Sequence, residues 1–335
     1  MNLIDDSPLY DVWLGFLRGA ALSAADELGL FEVLGTQTLR AEALARRLKA
    51  SSAGVDALLR VLASEGFVAA RGPGFHATES GRLYLRRSSP FYWGAALESA
   101  RLRPEHQRLL QALRTEKAGL ASGGKSFTEM WRQGELSPEA AGKFTRTMHA
   151  TIFPAATAAA ARGLFSRSRA VLDVGGGSGA FCLAAAKRHP RLRGTVFDLP
   201  PVCAIAQANA RRMRLASRVL THPGNFFRDA WPRDCDTVLL SNIFHDWPAE
   251  VCAELAAKAY ESLPPGGRVM IHEMLLDADK LGPATPLRFS LLMFMNHRSR
   301  QFTAAEVRAI LERAGFSRST VRPTLGYYSM SIAVK

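Results

Sequence analysis

This sequence predicts an α/β protein: a doubly wound, Rossmann-like parallel sheet, preceded by an all-helical, winged-helix-like N-terminal domain. Three observations carry that expectation. From Ala170 onward, strand-like and helix-like runs alternate. A Gly-rich turn joins the first strand of that alternation to its first helix, and earlier in the chain helix, helix and hairpin signals follow one another between residues 10 and 78.

The elements follow in order. An apolar period near 3.6 runs through Val12, Phe16, Leu17 and Ala20 and resumes through Leu39, Leu44, Leu48, Leu58, Leu59 and Leu62, with breaks at Gly35 and Ser51-Ser52. Ser51 or Ser52 caps the helix that ends at Gly66, and Gly72-Pro73-Gly74 turns a small hairpin between Phe67–Ala70 and Phe75–Thr78. Helices continue to about residue 160, interrupted by a Gly/Ser/Lys stretch at Ala121–Lys125 that reads as flexible. Ala170–Val174 is a buried strand, Gly175–Gly179 a turn, and Phe181–Arg188 a helix. A second strand ends at Asp198, and a third covers Arg218–His222. Thr237–Leu240 is the fourth, and Arg268–Leu275, entered through Pro264-Pro265-Gly266-Gly267, is the fifth. A helix at Ala249–Leu263 separates the last two; Ala304–Ala314 is the final helix, and Ser319–Arg322 and Tyr327–Val334 suit an antiparallel pair.

The chain has 335 residues, 47% of them apolar and 22% charged, enough to bury a large core and to exclude intrinsic disorder. The apolar run around Leu291–Met295 is far too short to cross a bilayer, and the acidic start Met1–Asp6 is unlike a secretory leader, so a cytoplasmic protein without membrane association is expected. Cys182, Cys203, Cys235 and Cys252 stand singly, which reads as reduced core thiols rather than a disulfide frame or a zinc site. The net charge of +13 is concentrated in residues 151–335, which carry 24 Lys+Arg against 14 Asp+Glu, but it is scattered there, as on solvated helix faces.

A strand, a glycine turn and a helix bring backbone N–H groups and a helix N-terminus to a ligand. Gly175, Gly177 and Ala180 satisfy G-x-G-x-x-A, and Asp198 stands where a ribose-binding acid belongs, so a nicotinamide dehydrogenase is one reading. Asp173, two residues before the first glycine, is badly placed beside a pyrophosphate but suits an ammonium group. S-adenosylmethionine has that ammonium, a ribose diol and no phosphate, and is the favoured ligand.

These segments, taken together, resemble the class I S-adenosylmethionine-dependent methyltransferases of the small-molecule O-methyltransferase group, which includes caffeate and hydroxyindole enzymes and antibiotic-tailoring ones. The resemblance spans nearly the whole chain and rests on Leu172–Gly179, Val196–Pro200, Ser241–Trp247 with its His-Asp-Trp, and Pro264–Arg268. It implies that Asp173, Gly175 and Gly177 hold the methionine part of the donor and that Asp198 holds the ribose, with Leu199 and Ser241 beside them. Where the family usually has an acid near the adenine amine, this chain has Asn225, whose carbonyl can still accept a hydrogen bond, and Phe226 is expected against the ring. The implied organisation is a winged-helix-like dimerisation domain over 1–100, a helical linker and acceptor-pocket region over 101–160, and the donor-binding catalytic domain over 161–335, working as a homodimer on a small-molecule acceptor.

His245 follows a strand of the sheet and lies at its carboxyl end, where ligands bind in open α/β folds. An imidazole there can take the proton of a phenol or enol, and the resemblance gives this position to the general base. Glu273, on the next strand, is expected to orient it; His272, its neighbour, must face the other way. Asp246 is expected to point away from His245 and to cap the following turn or contact the donor. Phe127, Met130, Trp131, Phe144, Met148, Phe244, Met293 and Met295 favour a flat, mostly apolar acceptor, to which Asp246 and His297 add polar contacts. Gln301 stands where the plant enzymes carry a second acid, a departure that keeps open C-methylation of an aromatic amino acid or α-keto acid. A two-histidine, one-carboxylate metal site of His245, Asp246 and His297 is a minor reading, and no metal is assigned. A DNA-binding regulator is disfavoured, because the would-be recognition helix Ser52–Glu65 offers one base-reading cation, Arg60, among apolar residues.

Overall fold

A computed structural model of the chain describes residues 4–115 and 127–335, so the Ala121–Lys125 stretch and the side chain of Phe127 lie outside it. Contacts divide the described residues into two compact units: residues 7–115 and 127 with 276–303, and residues 128–275 with 304–335 and 4–6. Segment 276–303, which the sequence suggests is part of the α/β half, therefore belongs with the N-terminal helices.

The first unit contains helices α1 (Ser7–Trp13), α2 (Phe16–Glu27), α3 (Leu30–Leu34), α4 (Ala41–Leu48) and α5 (Ser52–Ser64). The hairpin β1 (Val68–Arg71) and β2 (Gly74–Ala77) follows, then α6 (Glu79–Leu85), α7 (Gly94–Ala100) and α8 (Pro104–Thr115). Ser51 caps α5, accepting from Gly54 N–H at 3.4 Å, and Gly66 ends it with φ +81°. Val55, Leu58, Leu59, Val61 and Leu62 are buried, which uses up the face of α5 that a DNA reader would need. Arg60 is bound to Asp56 at 2.7 Å and to the Lys280 carbonyl at 3.0 Å. The helix Ala284–His297 closes the unit: Phe294 and the α8 residue Leu113 sit so close to Gly54 of α5 that a Cβ there would meet Phe294 Cζ at 2.4 Å.

In the second unit, α9 (Phe127–Gln133) and the long α10 (Pro138–Ala161) lead to β3 (Ala170–Val174), α11 (Ala180–Arg188), β4 (Arg193–Asp198), α12 (Pro200–Arg212) and β5 (Val219–Pro223). Next come β6 (Thr237–Ser241), α13 (Ala249–Ser262) and β7 (Arg268–Met274); beyond the Ala284–His297 helix, which is α14, stand α15 (Ala304–Arg313), β8 (Ser317–Pro323) and β9 (Tyr328–Val334). The seven-stranded sheet has the order β5-β4-β3-β6-β7-β9-β8; β5, β4, β3, β6 and β7 are parallel, and β9 runs antiparallel to both β7 and β8. The strand order reverses at β3, which pairs with β4 on one side and β6 on the other, so the crevice beyond its carboxyl end is the place for a ligand. Among the described residues, no helix is long and apolar enough to cross a membrane.

Candidate active site

Asp198 ends β4 and Asp173 stands one residue before the end of the neighbouring parallel strand β3, and both carboxyl groups are buried. Neither oxygen of Asp173 makes a well-formed hydrogen bond; burial and then the Asp198 charge push its carboxyl up to about 7, against looser hydrogen-bonding contacts from Cys182. An unpaired buried acid of this kind is matched by a ligand that brings an ammonium group. Asp198 accepts from Gly177 N–H at 2.9 Å and from its neighbour Leu199 N–H at 2.8 Å, with the Trp131 side chain as a further donor. Burial still outweighs these donors and pushes Asp198 up to about 6.

The turn between β3 and α11 is shaped by glycine. Gly175, Gly177 and Gly179 have φ of +64°, +55° and +76°, and a Cβ on Gly176 would stand 2.6 Å from Asp173 Cγ. A Cβ on Gly175 would lie 2.4 Å from Ile243 and 3.5 Å from Phe226, which marks these two apolar side chains as the walls over the turn. Phe226 is buried, and its carbonyl accepts from Trp231 Nε1 at 2.8 Å and Lys258 Nζ at 2.9 Å, fixing the loop that carries it. Asn225 is held at both ends of its amide: its Oδ1 accepts from Phe227 N–H at 3.0 Å and its Nδ2 donates to the Arg132 carbonyl at 2.9 Å. One lone pair of Oδ1 is left for an adenine amine, and the amide ties α9 to the loop. The Trp131 side chain serves Asp198 and packs edge-on against Phe144, centroids 5.0 Å apart. Ser241 bonds His272 Nδ1 at 3.1 Å.

Beyond β6, in the turn that follows it, His245 meets Glu273 of β7. His245 Nδ1 lies 2.6 Å from Glu273 Oε2, and both side chains are buried. The other oxygen, Oε1, accepts from the consecutive N–H groups of Ile243, Phe244 and His245 at 3.1, 2.9 and 3.4 Å, so four donors converge on one carboxylate. Asp246 corrects the expectation that neighbours point apart: residues 244–246 form a 3₁₀ turn, which brings Asp246 Oδ1 within 3.6 Å of His245 Nε2. Burial pulls the imidazole down, but Glu273 and Asp246 outweigh it and push His245 up to about 9. His272 takes the opposite face, stacked on Tyr328 and bonded to Ser241 and Thr324, and burial lowers it to about 3.

Met148 is half-buried on α10, in the same unit as His245, whereas Met295, buried, and His297, half-buried, stand on α14 of the other unit. Among the described residues, no group of three or more His, Cys, Asp or Glu side chains could hold a metal ion. Trp231 and Lys258 join the site through space, with no local sequence signal, and Ile243 adds a wall from within the Ser241–Trp247 segment.

Two buried strand-end acids, a glycine cradle too tight for a Cβ and an acid-held histidine beyond the next strand stand at the switch point of a Rossmann-like sheet, the frame of an S-adenosylmethionine-dependent methyltransferase. Comparison with known proteins agrees. Residues 107–317 match the O-methyltransferase domain and residues 10–87 the O-methyltransferase dimerisation domain. The chain is 33% identical to 3-hydroxy-5-methyl-1-naphthoate 3-O-methyltransferase of Streptomyces sahachiroi, over 92% of this chain and 89% of that one. It is 32% identical to acetylserotonin O-methyltransferase of Bos taurus, over 96% and 95%. The O-methyltransferase family 2 protein of Planctomyces limnophilus, solved in complex with apigenin, superposes with a TM-score of 0.87 at 27% identity, covering 100% of this chain and 97% of that one. The chain belongs to the family of O-methyltransferases that carry their own dimerisation domain, and its methyl donor is S-adenosylmethionine.

Proposed function

We propose that this enzyme methylates a hydroxyl group of a small, flat aromatic secondary metabolite, with His245 as general base and Glu273 as its positioning residue. The observation that carries this reading is the buried 2.6 Å bond between His245 Nδ1 and Glu273, with the second oxygen of Glu273 nested in three backbone N–H groups. Glu273 fixes Nδ1 as the donor, so Nε2 of the neutral ring is left to accept a proton. Nε2 takes the acceptor's hydroxyl proton, and the imidazolium that results lies between Glu273 and Asp246. The acceptor oxygen then bonds to the methyl carbon as the carbon–sulfur bond breaks. The bound donor supplies that methyl group, made electrophilic by its sulfonium. Asp173 pairs with the donor's ammonium, Asp198 with its ribose diol, and Phe226 and Ile243 flank its base, with Gly175, Gly177, Leu199 and Asn225 completing the cradle. Asp246 and Met148 are the acceptor-side residues of this unit.

The relatives named for a hydroxynaphthoate and for acetylserotonin, and the structural relative holding apigenin, support an aromatic acceptor. A homodimer is supported by the dimerisation-domain match and by the exposed apolar side chains of Val12, Trp13, Phe16, Phe91 and Trp93 on that unit. Four buried free thiols support a reducing, cytoplasmic location. The test is incubation with ¹³C-methyl-labelled donor and a panel of hydroxynaphthoates, hydroxyindoles, flavonoids, aromatic amino acids and α-keto acids, followed by NMR of the products. A methoxy carbon from an aromatic member is expected. A methyl resonance in the aliphatic or aryl-methyl range would replace this reading with C-methylation.

A further inference from the structure

The glycine turn contains one residue with a side chain, Ser178, and that side chain is buried. Its hydroxyl lies 2.8 Å from Nδ1 of His149, on α10, and its carbonyl accepts from Asn209 Nδ2, on α12, at 3.1 Å. With Gly177 N–H on Asp198, the turn is fastened at three successive points: by a strand-end acid, a helix histidine and a helix asparagine. The His149 ring is itself held, stacked on Phe153 one helical turn on, centroids 4.8 Å apart at 27°. Burial and the nearby Arg212 charge lower its pKa, so at neutral pH the ring is uncharged and Nδ1 can accept the Ser178 hydroxyl proton. Three of the five turn residues have positive φ, a conformation without intrinsic rigidity in glycine, so its shape depends on such outside ties.

We propose that His149 is a positioning residue for the methyl donor: through Ser178 it holds the glycine turn in the form that receives the donor's amino-acid end. The inference rests on the donor site placed at this turn. Loss of the tie then costs donor affinity more than the chemical step, because His149 bonds the glycine turn rather than the His245–Glu273 pair.

Calorimetric titration with S-adenosylhomocysteine tests this on the full-length protein. His149→Phe keeps the stacking ring and removes the bond; affinity is expected to fall about fivefold, the worth of one ordinary hydrogen bond, and the donor's KM to rise by more than kcat falls. His149→Asn, whose amide oxygen can stand in for Nδ1, is expected to restore affinity to within about twofold. His149→Phe with Ser178→Ala is expected to bind no more weakly than the worse single variant. Unchanged affinity in His149→Phe, additive losses in the double variant, or a lowered melting temperature with affinity retained would overturn the proposal. If the wild-type protein failed to bind S-adenosylhomocysteine, the donor site itself would be misplaced.

Discussion

Replacing Asp246 by Asn removes a negative charge 3.6 Å from the nitrogen that takes the proton. Two unit charges at that distance interact by about 1 kcal/mol at the dielectric of water and by about 4 to 5 kcal/mol at an effective dielectric of 20. The Asp246 side chain keeps 25% of its surface exposed, which puts the pair toward the smaller figure. At about 1.4 kcal/mol per pH unit, the His245 midpoint should move down by about one pH unit. The sign follows from the charge: Asp246 favours the imidazolium, so its loss favours the neutral ring. With a midpoint at about 9, roughly one ring in a hundred is neutral at pH 7 in the donor-free enzyme, and the variant raises that fraction about tenfold. NMR titration of histidine-labelled protein, with His245 assigned by comparison with His245→Asn among the eight histidines, measures the midpoint directly. A wild-type midpoint at or below 6.5, or one unmoved in Asp246→Asn, would refute the electrostatic account of the site.

Three further outcomes follow from the donor cradle. Because burial raises Asp173 to about 7, the carboxyl must lose a proton before it pairs with an ammonium, so S-adenosylhomocysteine affinity should strengthen as the pH rises from about 5.5 to 7.5 and level off above that range. Asp173→Asn should weaken binding and reduce that pH dependence, measured by calorimetry at fixed ionic strength; the same slope in both proteins would assign the proton elsewhere. Asp198→Ala should lose micromolar binding altogether, since it removes the ribose acid and frees the Gly177 and Leu199 N–H groups at once; undiminished binding would sink the donor assignment. Gly176→Ala places a methyl group 2.8 Å from Asp173 Oδ2 and 2.9 Å from its carbonyl oxygen, and thermal shift with S-adenosylhomocysteine should show a folded protein with no ligand stabilisation.

Much of this site was legible in the sequence because its signals are local. Period-2 alternation along β7 separates His272 from Glu273, and the structure sends them to opposite faces, one to Tyr328 and the other to His245. The glycines and both acids are tied to strand ends, where backbone geometry dictates composition. What the sequence hid depends on how the chain returns on itself. Asp246 reaches His245 Nε2 because three residues wind into a 3₁₀ turn over Glu273, and alternation drawn from strands does not anticipate that. Trp131 meets Asp198 across 67 positions of chain, and Asn225 spends both ends of its amide on neighbours. The membership of α14 in the N-terminal unit follows from Phe294 filling the space over Gly54, a fit between surfaces that no periodicity encodes.

The account turns on His245 as the proton acceptor, and single-turnover methyl transfer by His245→Ala with saturating donor tests it most directly. The donor cradle does not include the imidazole, so S-adenosylhomocysteine affinity should stay near that of the wild type while transfer to the identified acceptor slows by about 100-fold or more. Transfer at a near-normal rate, with donor affinity retained, would mean that the enzyme only positions an already ionised nucleophile.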